Sequence, residues 1–199
     1  MKLTEINPSK LRYHELPTLD EMVTNIIAVY EASSIKERIL GETWYEYAMG
    51  TIAQFSDIYG YNSNQIAGVF SAMSPLLSWE QNTTVARNFL FSFVVGYMSF
   101  STAKKMGYGV FSRSLKKAID CVESSGDFTE VENLFRTKTG KKTLNFYRNL
   151  CGFRDCVTVD RHVIRSATKG VEERKGKRKN SGSVAITPNQ YDCIAYAYH

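Results

Sequence analysis

Apolar residues in this chain recur three and four positions apart along most of its length, and at only one place do they alternate with polar ones. That habit confines the fold to packed helices. A buried helical face needs a 3.6-residue period, whereas a half-buried strand needs strict alternation. Thr18 and Glu21 have capping-box spacing, and Met22, Val23, Ile26, Ile27 and Tyr30 follow at helical spacing. A second stripe of Trp44, Ala48, Ile52, Phe55 and Tyr59 predicts a helix that starts near Glu42 and ends at Gly60. Ser63 is placed to cap a third helix, with Ile66, Val69, Phe70 and Met73 on one face and Ser74-Pro75 as its break. Ser78 and Gln81 form the next capping box, with Val85, Ala86, Phe89 and Phe93 behind it.

The second half continues the pattern. Ser101 can open a short helix, and Met106-Gly107-Tyr108-Gly109 reads as a turn. Leu115, Ala118, Ile119 and Val122 predict a helix closed by Ser125-Gly126, and Phe128, Val131, Leu134 and Phe135 a short one. A basic turn around Gly140 precedes Leu144, Phe146, Tyr147 and Leu150 on a further helix. Val157-Thr158-Val159 is the alternating exception, a short strand or extended run. Asp160 then stands at an N-cap position ahead of Val163, Ile164 and Ala167. A last helix near 188–198 carries Tyr191, Ile194, Ala195 and Tyr198. The expected class is all-α. The expected organisation is an arm over 1–17, a helical domain over 18–168, a basic loop over 169–186, and a C-terminal helix over 187–199 packing back on the domain.

Charge and cysteine usage narrow the function classes. The net charge of +5 permits a polyanionic partner without demanding one. Residues 169–183 hold six basic side chains against two glutamates, most of the whole excess. No apolar run reaches bilayer-spanning length and the start lacks a signal-peptide pattern, so a cytoplasmic protein is expected, in a host cytoplasm if the chain is viral. The four cysteines form no C-x-x-C pair and the three histidines lie far apart. Free, mostly buried thiols and no metal or cofactor are therefore expected.

Two residues carry the chemistry. Lys142 opens a helix beside Lys141, where like charge and the helix dipole favour a nucleophilic amine. Asp160, eighteen positions later, is set to hold a fixed, ionised carboxylate at a helix start. The turn 137–141 has the makings of an anion cradle, since helix-start N–H groups beside lysines suit a phosphate. Arg161 and the basic run at 174–179 can add backbone contacts to a nucleic acid.

Three blocks resemble the helix–hairpin–helix superfamily of DNA glycosylases, the group with endonuclease III-like and MutY-like enzymes. Val69-Phe70-Ser71-Ala72-Met73 with Val85 and Ala86 is similar to its DNA-inserting segment. Gly140-Lys141-Lys142-Thr143-Leu144-Asn145 is similar to its hairpin, and Val157-Thr158-Val159-Asp160-Arg161-His162-Val163 to its catalytic block. The resemblance spans about residues 60–170. Lys138 stands where the family's first hairpin glycine belongs, Met73 replaces a common glutamine, and the family's cluster-binding cysteines are absent.

The resemblance implies a two-lobed helical fold with the active site in the interlobe cleft. It implies a DNA glycosylase, with Asp160 stabilising positive charge at the sugar carbon and Lys142 forming a Schiff base that permits strand cleavage at the abasic site. Met73, Ser74, Lys138, Gly140, Lys141, Thr143 and Arg161 would contact DNA. Trp44, Tyr45, Trp79, Asn82 and His162 would line a base pocket, with Tyr147 a further aromatic near it. The implied partner is double-stranded or locally single-stranded DNA, bound by a monomer with no cofactor and no membrane. A phage enzyme that modifies rather than excises a base, a DNA-binding module without catalysis, and a protein-interaction domain are the alternatives. The aromatic helix of Trp44 and Tyr45, and the run from Ser74 to Asn82, are closer to small phage-type members of the superfamily.

Overall fold

The structure, a computed structural model, describes residues 16–96, 112–137, 140–168 and 186–198. Among these residues there are ten helices and no strand. They are α1 (Leu19–Ala32), α2 (Ile35–Glu42), α3 (Trp44–Tyr59), α4 (Ser63–Met73), α5 (Trp79–Val94), α6 (Ser112–Glu123), α7 (Phe128–Asn133), α8 (Lys141–Leu150), α9 (Arg161–Thr168) and α10 (Pro188–Ala197). The expected helix at Ser101, the turn at 106–109, most of the arm and nearly all of the basic loop lie outside the described residues.

The chain divides into two compact units, one from residues 1–44 with 154–199 and one from residues 45–153. The expected boundaries at 18 and 168 do not coincide with this division. One edge falls at the start of α3, the other in the connection between α8 and α9.

The first unit builds its core from Met22 of α1, Val159, Ile164 and Ala167 around α9, and Tyr191, Cys193, Ile194, Ala195 and Ala197 of α10. Thr18 and Glu21 do form the capping box of α1. The stripe expected on α1 buries only its first turns. Met22 is fully buried, while Ile27 and Tyr30 are about half exposed. Asn25, read past in the sequence, is buried and donates from Nδ2 to the Ala167 carbonyl at 3.0 Å, tying α1 to the end of α9. Helix α2 was not anticipated, although Ser34 and Glu37 form a full capping box. It buries no residue and leaves Ile35, Ile39 and Leu40 exposed, so its short run has no periodic core face to betray it.

The second unit is organised around α4. Every residue from Gln65 to Met73 on it is buried, beyond the single apolar face that the spacing predicts. A helix buried all round must be covered on all sides, and α4 packs against α5, α6, α7 and α8. Gly68 permits the closest of these approaches. A Cβ there would lie 2.7 Å from the Cys121 Sγ and 2.8 Å from Val131 Cγ1. The cap of α4 is Asn62, one residue before the expected Ser63. Its box partner Gln65 also donates to the carbonyls of Val122 and Ser124, both at 2.8 Å. Phe55, Phe70 and Trp79 form a chain of ring contacts with centroids 5.2 and 5.1 Å apart. Phe128 and Phe135 both stack on Tyr147.

The four cysteines are free, and all but the half-buried Cys151 are buried. Burial pushes the Cys151 thiol up to about 12, which keeps it protonated at neutral pH.

Candidate functional site

The two halves of the anticipated site lie in different units, Lys142 in the second and Asp160 in the first. Each half is built by its own local chemistry.

In the first unit, Asp160 caps α9. Its Oδ1 accepts from the backbone N–H of His162 at 2.8 Å and of Val163 at 2.9 Å, and its carbonyl accepts from Ile164. Among the described residues no group bonds to its Oδ2. Among the described residues, then, the carboxylate is held by one oxygen.

The segment that delivers Asp160 forms no strand among the described residues. The hydroxyl of Tyr191 bonds to its backbone. It donates to the Val157 carbonyl at 2.8 Å and accepts from the Val159 N–H at 3.1 Å. One side chain thus satisfies two backbone groups that a sheet would have paired, and the expected short strand is not formed. Tyr198, at the other end of α10, reaches the Ser166 hydroxyl and the Val163 carbonyl. Burial holds its phenol above the ordinary value, against the bond with Ser166 and with a smaller push from Asp160. Two tyrosines seven positions apart thus bracket Asp160. Sequence reasoning placed both on a helix and gave neither a role.

Arg161 and His162 are exposed on the first turn of α9. The Arg161 Nε–H donates to the His162 Nε2 at 3.3 Å.

In the second unit, Gly140 is the N-cap of α8 and carries no side chain to cap it. A Cβ there would fall 2.5 Å from both the Phe135 carbonyl oxygen and the Thr137 hydroxyl, so the turn admits no other residue without moving its backbone. The Gly140 N–H donates to Thr137. The Thr143 hydroxyl donates back to the Gly140 carbonyl at 3.0 Å, so that hydroxyl is engaged in the turn. Lys142 is exposed and makes no hydrogen bond or ion pair with any described residue, while Lys141 is half-buried beside it. Lys138 lies outside the described residues.

The anticipated wedge and pocket residues fare differently. Met73 is fully buried at the end of α4, which corrects its expected role, since a thioether in the core cannot enter a base stack. Ser74 is half-buried and donates to the Ser71 carbonyl at 3.0 Å. Asn82 is also a correction. It is 2% exposed, and its Nδ2 donates to the Phe70 carbonyl at 3.0 Å, tying α5 to α4 rather than facing a ligand. Tyr147 is fully buried between rings, and its hydroxyl donates to Phe128. Trp79 is half-buried with its ring tilted on Phe70, and Trp44 and Tyr45 are half-buried at the start of α3.

Sequence reasoning passed over Leu76, in the turn that follows α4. It is the one non-glycine with positive φ among those described, at 68°, and it is 67% exposed. Leu77 N–H donates to the Ser74 carbonyl, closing a four-residue turn with Pro75 second and Leu76 third. That third position ordinarily takes glycine when φ is positive. Pro75 marks the turn, but a leucine in third place gives no sign of a positive φ in the sequence.

A model of the family of unknown function DUF7178 matches residues 9–199. The chain belongs to that family. No curated protein and no solved structure matches this DUF7178 chain. Among its described residues no helix is long and apolar enough to cross a membrane, and no group of three His, Cys, Asp or Glu is placed to hold a metal ion.

Proposed function

We propose that this DUF7178 protein is a DNA glycosylase that flips a damaged or modified base out of DNA and releases it, in the manner of the helix–hairpin–helix enzymes its motifs resemble. The observation that carries the proposal is the Asp160 carboxylate, with Oδ1 fixed by two backbone N–H groups and Oδ2 left to act. Breaking a glycosidic bond builds positive charge on the sugar, and a fixed, ionised oxygen stabilises that charge without reorganising.

Other features support the reading. Gly140 and α8 offer a tight turn beside Lys141 and Lys142 for a backbone phosphate. Lys142 stands exposed at that helix start, where an amine can attack the sugar carbon and go on to strand cleavage. Leu76 takes the wedge role expected of Met73. It is apolar, exposed and held out by a strained turn, and an apolar side chain suits unstacking a base step.

The test is a panel of oligonucleotides carrying different damaged and modified bases, scored for free base and for nicking. Excision predicts free base from at least one substrate, and borohydride trapping of a covalent adduct that Lys142→Ala abolishes. A heavier nucleoside in place of a free base would transfer the chemistry to base modification. Trapping that survives Lys142→Ala in full would remove Lys142 as the amine.

A further inference from the structure

Helix α2 of the first unit is formed without a buried face. It is eight residues long and buries none of them. Isolated helices shorter than about 12–15 residues are marginal in water, and in proteins most helical stability comes from packing. The Ser34–Glu37 capping box secures only its first turn. Arg38 ties it to the end of α1. Its Nε donates to the Ser33 carbonyl at 3.1 Å and its Nη2 to the Glu31 carbonyl at 2.8 Å, and its guanidinium lies 4.5 Å from the Tyr30 ring centroid.

The side of α2 turned away from Arg38 is apolar and open. Ile35 and Ile39 lie one turn apart, with Leu40 beside Ile39, and the three are 75%, 54% and 57% exposed. Tyr30 carries this surface onto α1. It is half exposed, and its hydroxyl donates to the Glu42 Oε1 at 3.3 Å. Ile27, one turn before Tyr30, is half exposed as well. Large apolar side chains grouped in this way mark an interaction surface, whereas single ones do not.

Two charges flank the face and say what covers it. Lys36 lies in the first turn of α2 and Glu42 is its last residue. Both are exposed, and neither forms an ion pair with a described residue. Both also stand against the helix dipole, which favours an acid at the start and a base at the end. They do not serve their own helix, but they suit a second copy of it. Positions 36 and 42 lie three residues either side of Ile39. If two α2 helices cross antiparallel at Ile39 on a two-fold axis, Lys36 of each copy meets Glu42 of the other. The same crossing takes Ile35, Ile39 and Leu40 out of water. A patch that complements itself is the requirement for a two-fold pair.

We propose that the outer face of α2, with Tyr30 and Ile27 of α1, is the interface of a homodimer, in place of the monomer that the resemblance implies. The patch is small, so the pairing belongs to the weak, reversible class. The paired charges fix its register and exclude other apolar partners. The proposal stands without the glycosylase reading, because no step of base release uses α2.

Sedimentation equilibrium of the full chain, from micromolar to millimolar concentration, should show the mass rise from one chain toward two. Ile39→Glu should hold it at one. Ile58→Glu, at a residue 70% exposed on α3 of the second unit, should leave association as it is. Lys36→Glu alone and Glu42→Lys alone should each weaken association severalfold. Both changes favour the dipole of α2, so a melted helix does not account for that loss. Mixing the two single variants should restore association, because each charge then meets its opposite across the axis. A chain that stays monomeric at every concentration would overturn the proposal. So would a dimer that survives Ile39→Glu, one that Ile58→Glu weakens as much, single charge variants that associate like the parent, or a mixture that restores nothing.

Discussion

Leu76 spends conformational energy that the fold does not need. A left-handed backbone costs a residue with a Cβ about 1–2 kcal/mol, and a side chain this exposed recovers little of it by burial. Leu76→Gly should therefore leave the free protein at least as stable, with a gain of up to about 1 kcal/mol in denaturant unfolding. If Leu76 acts as the proposed wedge, the same change should weaken binding to flexible or mismatched duplexes. A loss of stability would mean that the leucine is a packing residue. Asp160 sorts the same way. Asparagine caps as well as aspartate, so Asp160→Asn should stay within a few tenths of a kcal/mol of the parent, whereas Asp160→Ala should lose about 1 kcal/mol. Both should lose base release. Met73 and Asn82 show where sequence runs out at this scale. Met73 lies at helical spacing from Ile66 and Phe70, and that spacing fits a core position as well as a wedge. Which face meets solvent was decided by how many helices surround α4.

Between elements, the α7–α8 contact carries a buried charge network. Glu132 is 4% exposed, accepts from the Arg148 Nε at 2.6 Å and pairs with Arg136 Nη2 at 2.6 Å. The Arg148 Nη1 is buried with no partner among the described residues, so this guanidinium depends on Glu132. Glu132→Gln should cost about 3 kcal/mol, since it strands a buried cation. Burial alone would raise the Glu132 carboxyl, but the bonds from Arg148 and Arg136 outweigh it and hold it below the ordinary range. Its stabilisation is therefore complete above the unfolded carboxylate value, about 4.3. It is lost as pH falls through the lower folded value. Unfolding free energy measured from pH 6 to pH 2 should drop in the parent, and that part of the drop should be missing in Glu132→Gln. The run before α9 was only partly legible: Val157 and Val159 alternate with Thr158 as a strand or extended run would, and no strand forms there. Its hydrogen-bond partner, Tyr191, lies more than thirty positions away on a helix whose spacing says only that it packs. Tyr191→Phe should loosen this segment, seen as faster amide exchange at Val159, with α10 still helical.

For the whole molecule, periodicity and capping boxes disclosed the helical class and most helix positions, because those signals are local. The division into two units, the all-round burial of α4 and the existence of α2 were not legible. They depend on contacts between distant parts of the chain, or on a helix that buries nothing. If the protein binds DNA as proposed and neutralises three phosphates, its affinity should weaken roughly 40-fold between 50 and 200 mM salt. On the proposed reading, the Asp160 carboxylate drives release of a base. Free base should be measured by mass spectrometry after incubating the modified-oligonucleotide panel with the parent protein and with Asp160→Asn, under conditions where both bind DNA equally. The account predicts release by the parent and none above background by the variant. Equal release by both, or none by the parent on any substrate it binds, would contradict it.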